Sequence, residues 1–451
     1  MPFWRLVGWD LLILWRSGAA AAAITLLLAA AAFASYNGLR ILAGHTTAIA
    51  EAQALTQIST DTAASGVQSP HAVRLRILAA EPPLLDFAAG RTGLDPIIGE
   101  ATPLTPLHRT FENYQVDHPL SLALSRFDFA FLMTVVAPLI LIALCAGLLG
   151  EEGRTGRLAL LIAQGAQPGR IVLARVTART MLVALPLVAA LLAQAFASGL
   201  EGARISAFMG FLGVAILGLL IWAGFCVALN SLVGQGVASA IALFAVWLVL
   251  AATGPSAITA AAQAFAPAPP RLAFLADARR AEIAAVKDAE SLAQAYLNDH
   301  PELEQGDFDV PGWARSRYLV SQSVDQSLAP FLSRFDASLE RQIAIAASLQ
   351  ALTPTLAQSI AMTDIAGTSA RTALDRQAEA RTQVTALRNA LGEAIMGGRG
   401  VSAAEAASWS VRFLPTQSAA AWPSLASLML WLAAVWSLAL AAMRWKGRQS
   451  D

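Results

Sequence analysis

Histidines, cysteines and scattered carboxylates are the side chains here that could do chemistry, and none stands in a pattern that chemistry requires. His45, His71, His108, His118 and His300 are never paired at i, i+3 or i, i+4 with another His or Cys. Imidazole is the commonest metal ligand, but no second ligand is in reach by spacing, so no metal site is assigned. Cys145 and Cys226 both fall inside apolar runs, where a free thiol behaves as a small core residue. No disulfide framework follows from them. Asp128, in the run Ser125-Arg126-Phe127-Asp128, invites a catalytic reading. A capping box explains it better: Ser125 caps an apolar helix and Asp128 is its partner three residues on, at the positive end of the helix dipole. Asp307, Asp309, Trp313, Arg315 and Arg317 form a polar-aromatic cluster in an expected loop. Such a cluster suits contact with a substrate or a partner, and surface loops commonly carry one. No catalytic residue is assigned.

Nucleotide chemistry is also missing from the chain. No G-x-x-x-x-G-K-[ST] loop is present to cradle a phosphate, and the two lysines, Lys287 and Lys446, stand near nothing like one. If nucleotide drives this protein, another polypeptide hydrolyses it.

A charged constellation between two apolar runs is Glu151, Glu152, Arg154, Arg157, Arg170, Arg175 and Arg179. It follows at once on a charge-free run, 129–150, and is followed by another apolar run. Between them, Arg154 to Gln164 forms a short helix with Leu158, Leu161 and Ile162 on one side, interrupted at Gly165. Pro168 is placed to open the next helix, which carries Arg170. A short amphipathic helix between two membrane spans fits a groove on a soluble partner. An ordinary loop resting on lipid headgroups through its arginines fits equally well, and spacing alone does not choose.

The elements that position these residues are membrane spans. Of the residues, 56% are hydrophobic and 14% charged, with zero net charge; a soluble domain carries about a quarter charged residues. The neutral balance argues against nucleic acid as a partner. Residues 1–17 interleave Trp4, Trp9 and Trp15 with Arg5, Asp10 and Arg16, a pattern suited to a helix lying in the membrane interface. A signal peptide ending near Ala34-Ser35 is the competing reading. Apolar runs then predict six crossings, at 18–36, 129–150, 181–198, 207–229, 236–252 and 423–443. Arginines and Lys446 crowd the ends near 1–17, 151–180 and 444–451. The positive-inside rule therefore makes both termini and the 151–180 hairpin cytoplasmic. No span carries a charge in its interior, which argues against an ion-coupled secondary transporter.

Two segments, 37–126 and 254–422, are then extracytoplasmic. The first, with Pro82, Pro83, Pro96, Pro103 and Pro106, reads as mixed loop and helix. The second opens on a Pro-rich hinge at 267–270 and reads as helices over 271–298, 318–352, 356–366 and 368–395, ended by Gly397-Gly398. Ser402 and Glu405 form a capping box for a further short helix. The expected fold class is an all-α membrane protein, six transmembrane helices with two extracytoplasmic segments forming a mainly helical domain.

Asp128 through Glu151, Glu152, Gly153, Arg154, Thr155, Gly156, Arg157 and Leu158, then Leu161, Gln164, Pro168 and Arg170, resembles the type-two ABC permease pattern. In that family a span ends in an acidic pair, then a turn, a Leu-bearing helix, a small-residue turn and a basic residue. This chain has Thr155-Gly156-Arg157-Leu158 where the family commonly has Gly-Thr-Leu. Leu352-Thr353-Pro354, Asp364-Ile365-Ala366-Gly367-Thr368 and His300-Pro301-Glu302 are similar to the branch with a large extracytoplasmic insert before the last span. The resemblance implies a bacterial inner-membrane permease subunit, in particular an exporter, whose hairpin binds a cytoplasmic ABC ATPase. It further implies a second permease copy or paralogue, contact with membrane lipid, and a periplasmic partner for the insert. It implies no cofactor on this chain, with ATP-Mg held by the ATPase. A mechanotransmitting or scaffold protein driven by the same ATPase, moving no substrate, remains the alternative.

Overall fold

A computed structural model describes residues 3–63, 67–90, 97–109, 127–148, 167–233, 236–299, 301, 309–415 and 418–448. The chain opens with α1 (Phe3–Arg16) and, after a two-residue turn at Ser17-Gly18, α2 (Ala19–Ala63). Strands β1 (Leu75–Ala79) and β2 (Ile98–Ala101) follow. Next come α3 (Phe129–Cys145), α4 (Pro168–Ala197), α5 (Ala203–Val233) and α6 (Gly236–Phe265). The later segment holds α7 (Arg271–Lys287), α8 (Ala289–Asp299), α9 (Gly312–Leu349), α10 (Pro354–Ala366), α11 (Ala370–Met396), α12 (Ala403–Ser408) and β3 (Val411–Leu414). The chain closes with α13 (Trp422–Arg448).

Five of these helices, α2, α4, α5, α6 and α13, are long and apolar enough to cross a membrane, and α3 is a shorter apolar helix. They pack together through small and aliphatic side chains. On α2 the buried stripe is Ala23, Leu27, Ala31 and Ala34, small residues at helical spacing that let backbones approach where lipid supplies no hydrophobic drive. α5 lies at the centre of the bundle: Phe211, Val214, Leu219, Trp222 and Cys226 are all buried. Cys226 and Cys145 of α3 share this core, and both thiols are free and buried.

The expected loop-and-helix segment after residue 36 is corrected in two ways. α2 continues unbroken to Ala63, because 37–63 is rich in Ala, Leu and Ile and contains no Pro to stop it. Beyond it a small sheet joins the otherwise helical chain: β1 pairs antiparallel with β2 (Leu75 opposite Ala101) and parallel with β3 (Ala79 opposite Leu414). The strand order β2-β1-β3 joins the segment before α3 to the segment before α13. One face of this sheet is covered by α11, whose Ala380, Val384, Leu387, Leu391 and Ala394 recur at i, i+4, i+7, i+11 and i+14 and pack on Leu75, Ile77, Ala101 and Leu414. Charges reinforce the junction. Asp325 of α9 pairs with the buried Arg388 of α11 and accepts from Leu107 N at 2.9 Å. Glu282 of α7 meets Arg109 at 2.7 Å and Arg317 at 3.5 Å.

Other boundaries also move. The expected single helix 271–298 is two, broken at Asp288. The expected span 129–150 is helical only to Cys145, then turns at 146–148. Asp128 is itself the N-cap of α3, accepting from Phe131 N at 2.8 Å; Ser125, the expected cap, lies outside the described residues. Trp313, Arg315 and Arg317 lie on α9 rather than in a loop. Trp313 meets the His71 ring edge-on, and Arg315 Nε donates to Ile395 O at 3.3 Å. The Ser402 cap of α12 forms as expected, accepting from Glu405 N at 3.2 Å.

The later segment does not simply sit on the apolar bundle. α10 is inserted into it: Ala357, Ala361, Met362 and Ala366 share one core with α2, α3, α4, α5 and α13. Gln358 Nε2 donates to Val214 O at 3.5 Å, Ser424 Oγ to Gln350 Oε1 at 2.7 Å, and Trp431 Nε1 to Ala351 O at 2.8 Å.

Gly38 shows how tightly α2 is held where it leaves the bundle. A Cβ there would lie 2.0 Å from Asp86 O, a backbone atom, whereas one at Gly44 would meet nothing within 4 Å. Gly38→Ala is therefore expected to lower the melting temperature of the detergent-purified protein, by an overpacking cost of about 1–3 kcal/mol. Gly44→Ala should leave it unchanged or raise it, as replacing a helical glycine does.

Candidate functional site: the α1 end of the bundle

The sequence places its candidate site at 151–170. Glu151, Glu152, Gly153, Arg154, Arg157, Leu158, Leu161 and Gln164 lie outside the described residues. Pro168 and Arg170 lie within them. Pro168 is buried in the first turn of α4, after Gln167 at the N-cap position, and Arg170 is exposed two residues on. The helix begins at Pro168, as the sequence reading expects, and runs without a break through the apolar run from residue 181. Between these two, Gly169 packs so closely on α13 that an added Cβ would lie 2.9 Å from Met443 Cβ.

The described groups around this end are joined by one ionic network. α1 buries Val7, Asp10 and Leu14, at i, i+3 and i+7, and Val7 packs against Ala174 and Ala178 of α4. Trp4, Trp9 and Trp15 are left exposed. Asp10, 5% exposed, faces two guanidinium groups of α4: Arg179 Nε at 3.2 Å and Arg175 Nε at 3.7 Å. Each arginine also reaches the end of α3, Arg175 donating to Leu148 O and Arg179 to Leu144 O. The last carbonyls of a helix have no partner inside it; Arg179 satisfies one of them at the negative end of the helix dipole, and Arg175 satisfies the carbonyl of Leu148 in the turn just beyond. Nearby, Asn230 Nδ2 of α5 donates to Cys145 O at 3.2 Å. The C-terminal end of α3 is thus held from α1, α4 and α5, on both sides of the segment that carries the candidate residues.

The sequence reading treats Arg175 and Arg179 as interfacial charges and Asp10 as part of an interfacial helix. It does not pair them. Asp10 stands 169 positions from Arg179, and no local spacing connects them. The available signal is that Asp10 shares a helical face with Val7 and Leu14, an odd place for a carboxylate without a partner.

A second polar cluster ties the opposite end of the same helices. Asp86, buried, accepts from Gln194 Nε2 of α4 at 2.9 Å and faces Arg204 of α5 at 3.6 Å. Gln194 Oε1 accepts from Ser35 of α2, and Asn37 Nδ2 donates to Phe127 O at 3.1 Å. Burial pushes the Asp86 carboxyl up from its ordinary range, against the opposing pull of Gln194 and Arg204. Among the described residues, no three His, Cys, Asp or Glu side chains converge as a metal ion would require. His45 is buried on α2 with neither ring nitrogen hydrogen-bonded, and His108 lies edge-on to Phe274. His118 and His300 lie outside the described residues.

Two outcomes are expected. Asp10→Ala leaves Arg175 and Arg179 without their counter-charge in a largely buried setting, a class of change that costs about 3 kcal/mol or more. It should lower thermal stability, and Asp10→Ala combined with Arg179→Ala should cost less than the two single changes added together. Asp128 gives a pH dependence. Burial raises its carboxyl to about 6, against backbone hydrogen bonds from Phe131 and Ala89 that pull it down. The folded protein then holds a proton between pH 4 and 6 that the unfolded chain has released, so this group makes stability fall as pH rises through that window. Asp128→Asn should flatten that part of the stability profile, as read by thermal melts at stepped pH.

Compared with known proteins, residues 271–411 match a family model described as a domain of unknown function (DUF3526). The match covers α7 to α12 and stops at the first residue of β3, so the sheet that completes this core comes from outside it. No curated protein matches the chain, and no solved structure does.

Proposed function

We propose that this chain is the membrane-spanning subunit of an ATP-driven ABC transporter, in particular an exporter, of the bacterial inner membrane. In this reading α2, α3, α4, α5, α6 and α13 are six crossings with both termini cytoplasmic. The domain built from 37–126 and 254–422 faces the periplasm. A separate ATPase docks on 151–170, and its closure on ATP pushes that segment as a lever. Two permease copies, identical or related, enclose the path. This chain is no enzyme and holds no cofactor; ATP-Mg stays with the partner.

The observation that carries the reading is the Asp10–Arg175–Arg179 network. A segment that receives force must be fixed to what it moves, and this one emerges between two helix ends bound by buried charge to each other and to α1. The cluster of arginines at this end agrees with a cytoplasmic location. The tryptophan-bearing outer face of α1 suits the interface between lipid headgroups and acyl chains.

A second reading, mechanical transmission without a transported substrate, draws on α2. It runs without a break for 45 residues from the bundle into the polar domain, and α10 returns from that domain into the bundle core. Motion at one end would reach the other through continuous elements. ATP hydrolysis by the reconstituted complex separates the readings, since a transporter responds to its substrate and a pure lever shows no small-molecule or peptide dependence.

Docking itself has a direct test. Glu152→Lys together with Arg154→Glu should reduce co-purification of the ATPase about tenfold while membrane insertion and yield stay unchanged. Undiminished co-purification would count against the assignment.

A further inference from the structure

A cleft of about 430 Å³ opens between the start of α3, the middle of α6 and the N-terminal ends of α10 and α11. It lies at the end of the bundle away from α1, and it belongs neither to the 151–170 segment nor to the ion network. One side is apolar, formed by Phe131, Val135, Pro255 and Leu356. Phe131 is 39% exposed, and Leu248 and Val249, just before the cleft on α6, are also exposed. The other side is lined by hydroxyl groups, and two of these have no hydrogen-bond partner: Thr355 Oγ1 and Thr368 Oγ1, on residues 4% and 0% exposed.

Buried hydroxyls without a partner are costly, and they point to a ligand group that supplies one. Their surroundings narrow its type. Thr355 lies in the first turn of α10 and Ala370 opens α11, so backbone N–H groups at both helix starts have no partner within the helix. Thr353 and Ser369 each cap only one of them. Asp128 also lines the cleft, each of its oxygens accepting one backbone N–H, from Phe131 at 2.8 Å and Ala89 at 2.9 Å; the rest of the polar lining is hydroxyl and N–H groups. The wall therefore offers donors and asks for acceptor oxygens. Gly90 fixes the position of Thr368: its φ is +51°, and a Cβ there would lie 2.5 Å from Thr368 O.

We infer that this cleft binds an amphiphile of the phospholipid class, with ester or phosphate oxygens on Thr355, Thr368 and the α10 and α11 N-termini and an acyl chain along Phe131, Val135 and Leu356. The depth fits. Phe131 to Val135 are the first turns of an apolar helix, the level at which the glycerol backbone of a bilayer lipid lies. The volume is in the range of small-molecule sites. Two π-turns, Leu132–Val136 in α3 and Leu248–Thr253 in α6, flank the cleft, and such turns often accompany functional sites. This assignment does not depend on an ATPase docking at the other end.

The test uses the full-length protein in phosphatidylcholine nanodiscs containing a minor fraction of phosphatidylglycerol with a diazirine next to an ester carbonyl. After illumination, crosslinks are expected in peptides spanning 129–136 and 354–370. The isosteric double variant Thr355→Val/Thr368→Val should lose at least fivefold of that labelling with thermal stability unchanged or raised, because only unpaired hydroxyls are removed. Labelling at the exposed Leu185 and Phe196 of α4 should not change. Ser359→Trp, which fills the cleft, should also abolish the labelling. Ten millimolar inorganic phosphate should leave the crosslinks intact; their loss would mark a site for free anions and overturn the assignment. Equal labelling of the double variant, or no crosslink in the cleft peptides of the unaltered protein, would overturn it as well.

Discussion

A single buried carboxylate holding two arginines is the interaction on which one end of this molecule depends. Asp10 lies between Arg175 and Arg179, and those guanidinium groups also satisfy the carbonyls of Leu148 and Leu144. Buried charges persist only when paired and hydrogen-bonded. Here that requirement fixes α1, α3 and α4 relative to one another, where apolar contact alone would let them slide. Lipid-exposed helices have little hydrophobic reason to associate, so polar contacts of this kind carry much of the geometric specificity.

The other end repeats the same solution with different groups. Asp86, Gln194, Arg204 and Ser35 join α2, α4 and α5 beneath the polar domain, while Phe87 inserts its ring among Phe129, Phe208 and Phe211. Between the two tied ends run continuous helices. α2 enters the polar domain without a break, and α10 comes back from it to pack against α5 and α13. The three-stranded sheet closes the loop, since β3 reaches it from immediately before α13. A displacement at the α1 end therefore has rigid routes to the domain. Such a connection is what either proposed role, transport or force transmission, would need.

Much of this architecture is legible in the sequence because apolar runs and helix caps are local signals. The apolar helices, the break at 267–270, the start at Pro168 and the cap at Ser402 all follow from residues within a few positions of each other. The sheet does not. β2 and β3 are four residues each, and β1 is stabilised by a partner more than 300 residues away, so its alternation is too short to stand out against helical surroundings. The continuation of α2 past residue 36 was obscured by the fall in hydropathy where the helix leaves the bundle, although nothing in 37–63 breaks a helix. Asp10 and its arginines, and the hydroxyls of Thr355 and Thr368, gain their meaning from tertiary neighbours that no spacing rule reaches. For the candidate site itself, Pro168 and Arg170 take their places on α4, and the acidic and leucine-bearing positions from 151 to 164 rest on the sequence pattern.

The central claim is that the segment between α3 and α4 faces the cytoplasm, where an ATPase can grip it. Its most direct test is reaction of single introduced cysteines with a membrane-impermeant maleimide in spheroplasts, with the buried Cys145 and Cys226 as silent background. Thr155→Cys is expected to react only after the membrane is permeabilised, and Ser327→Cys on α9 to react at once. Labelling of Thr155→Cys in intact spheroplasts would contradict the proposed orientation and the ATPase docking with it.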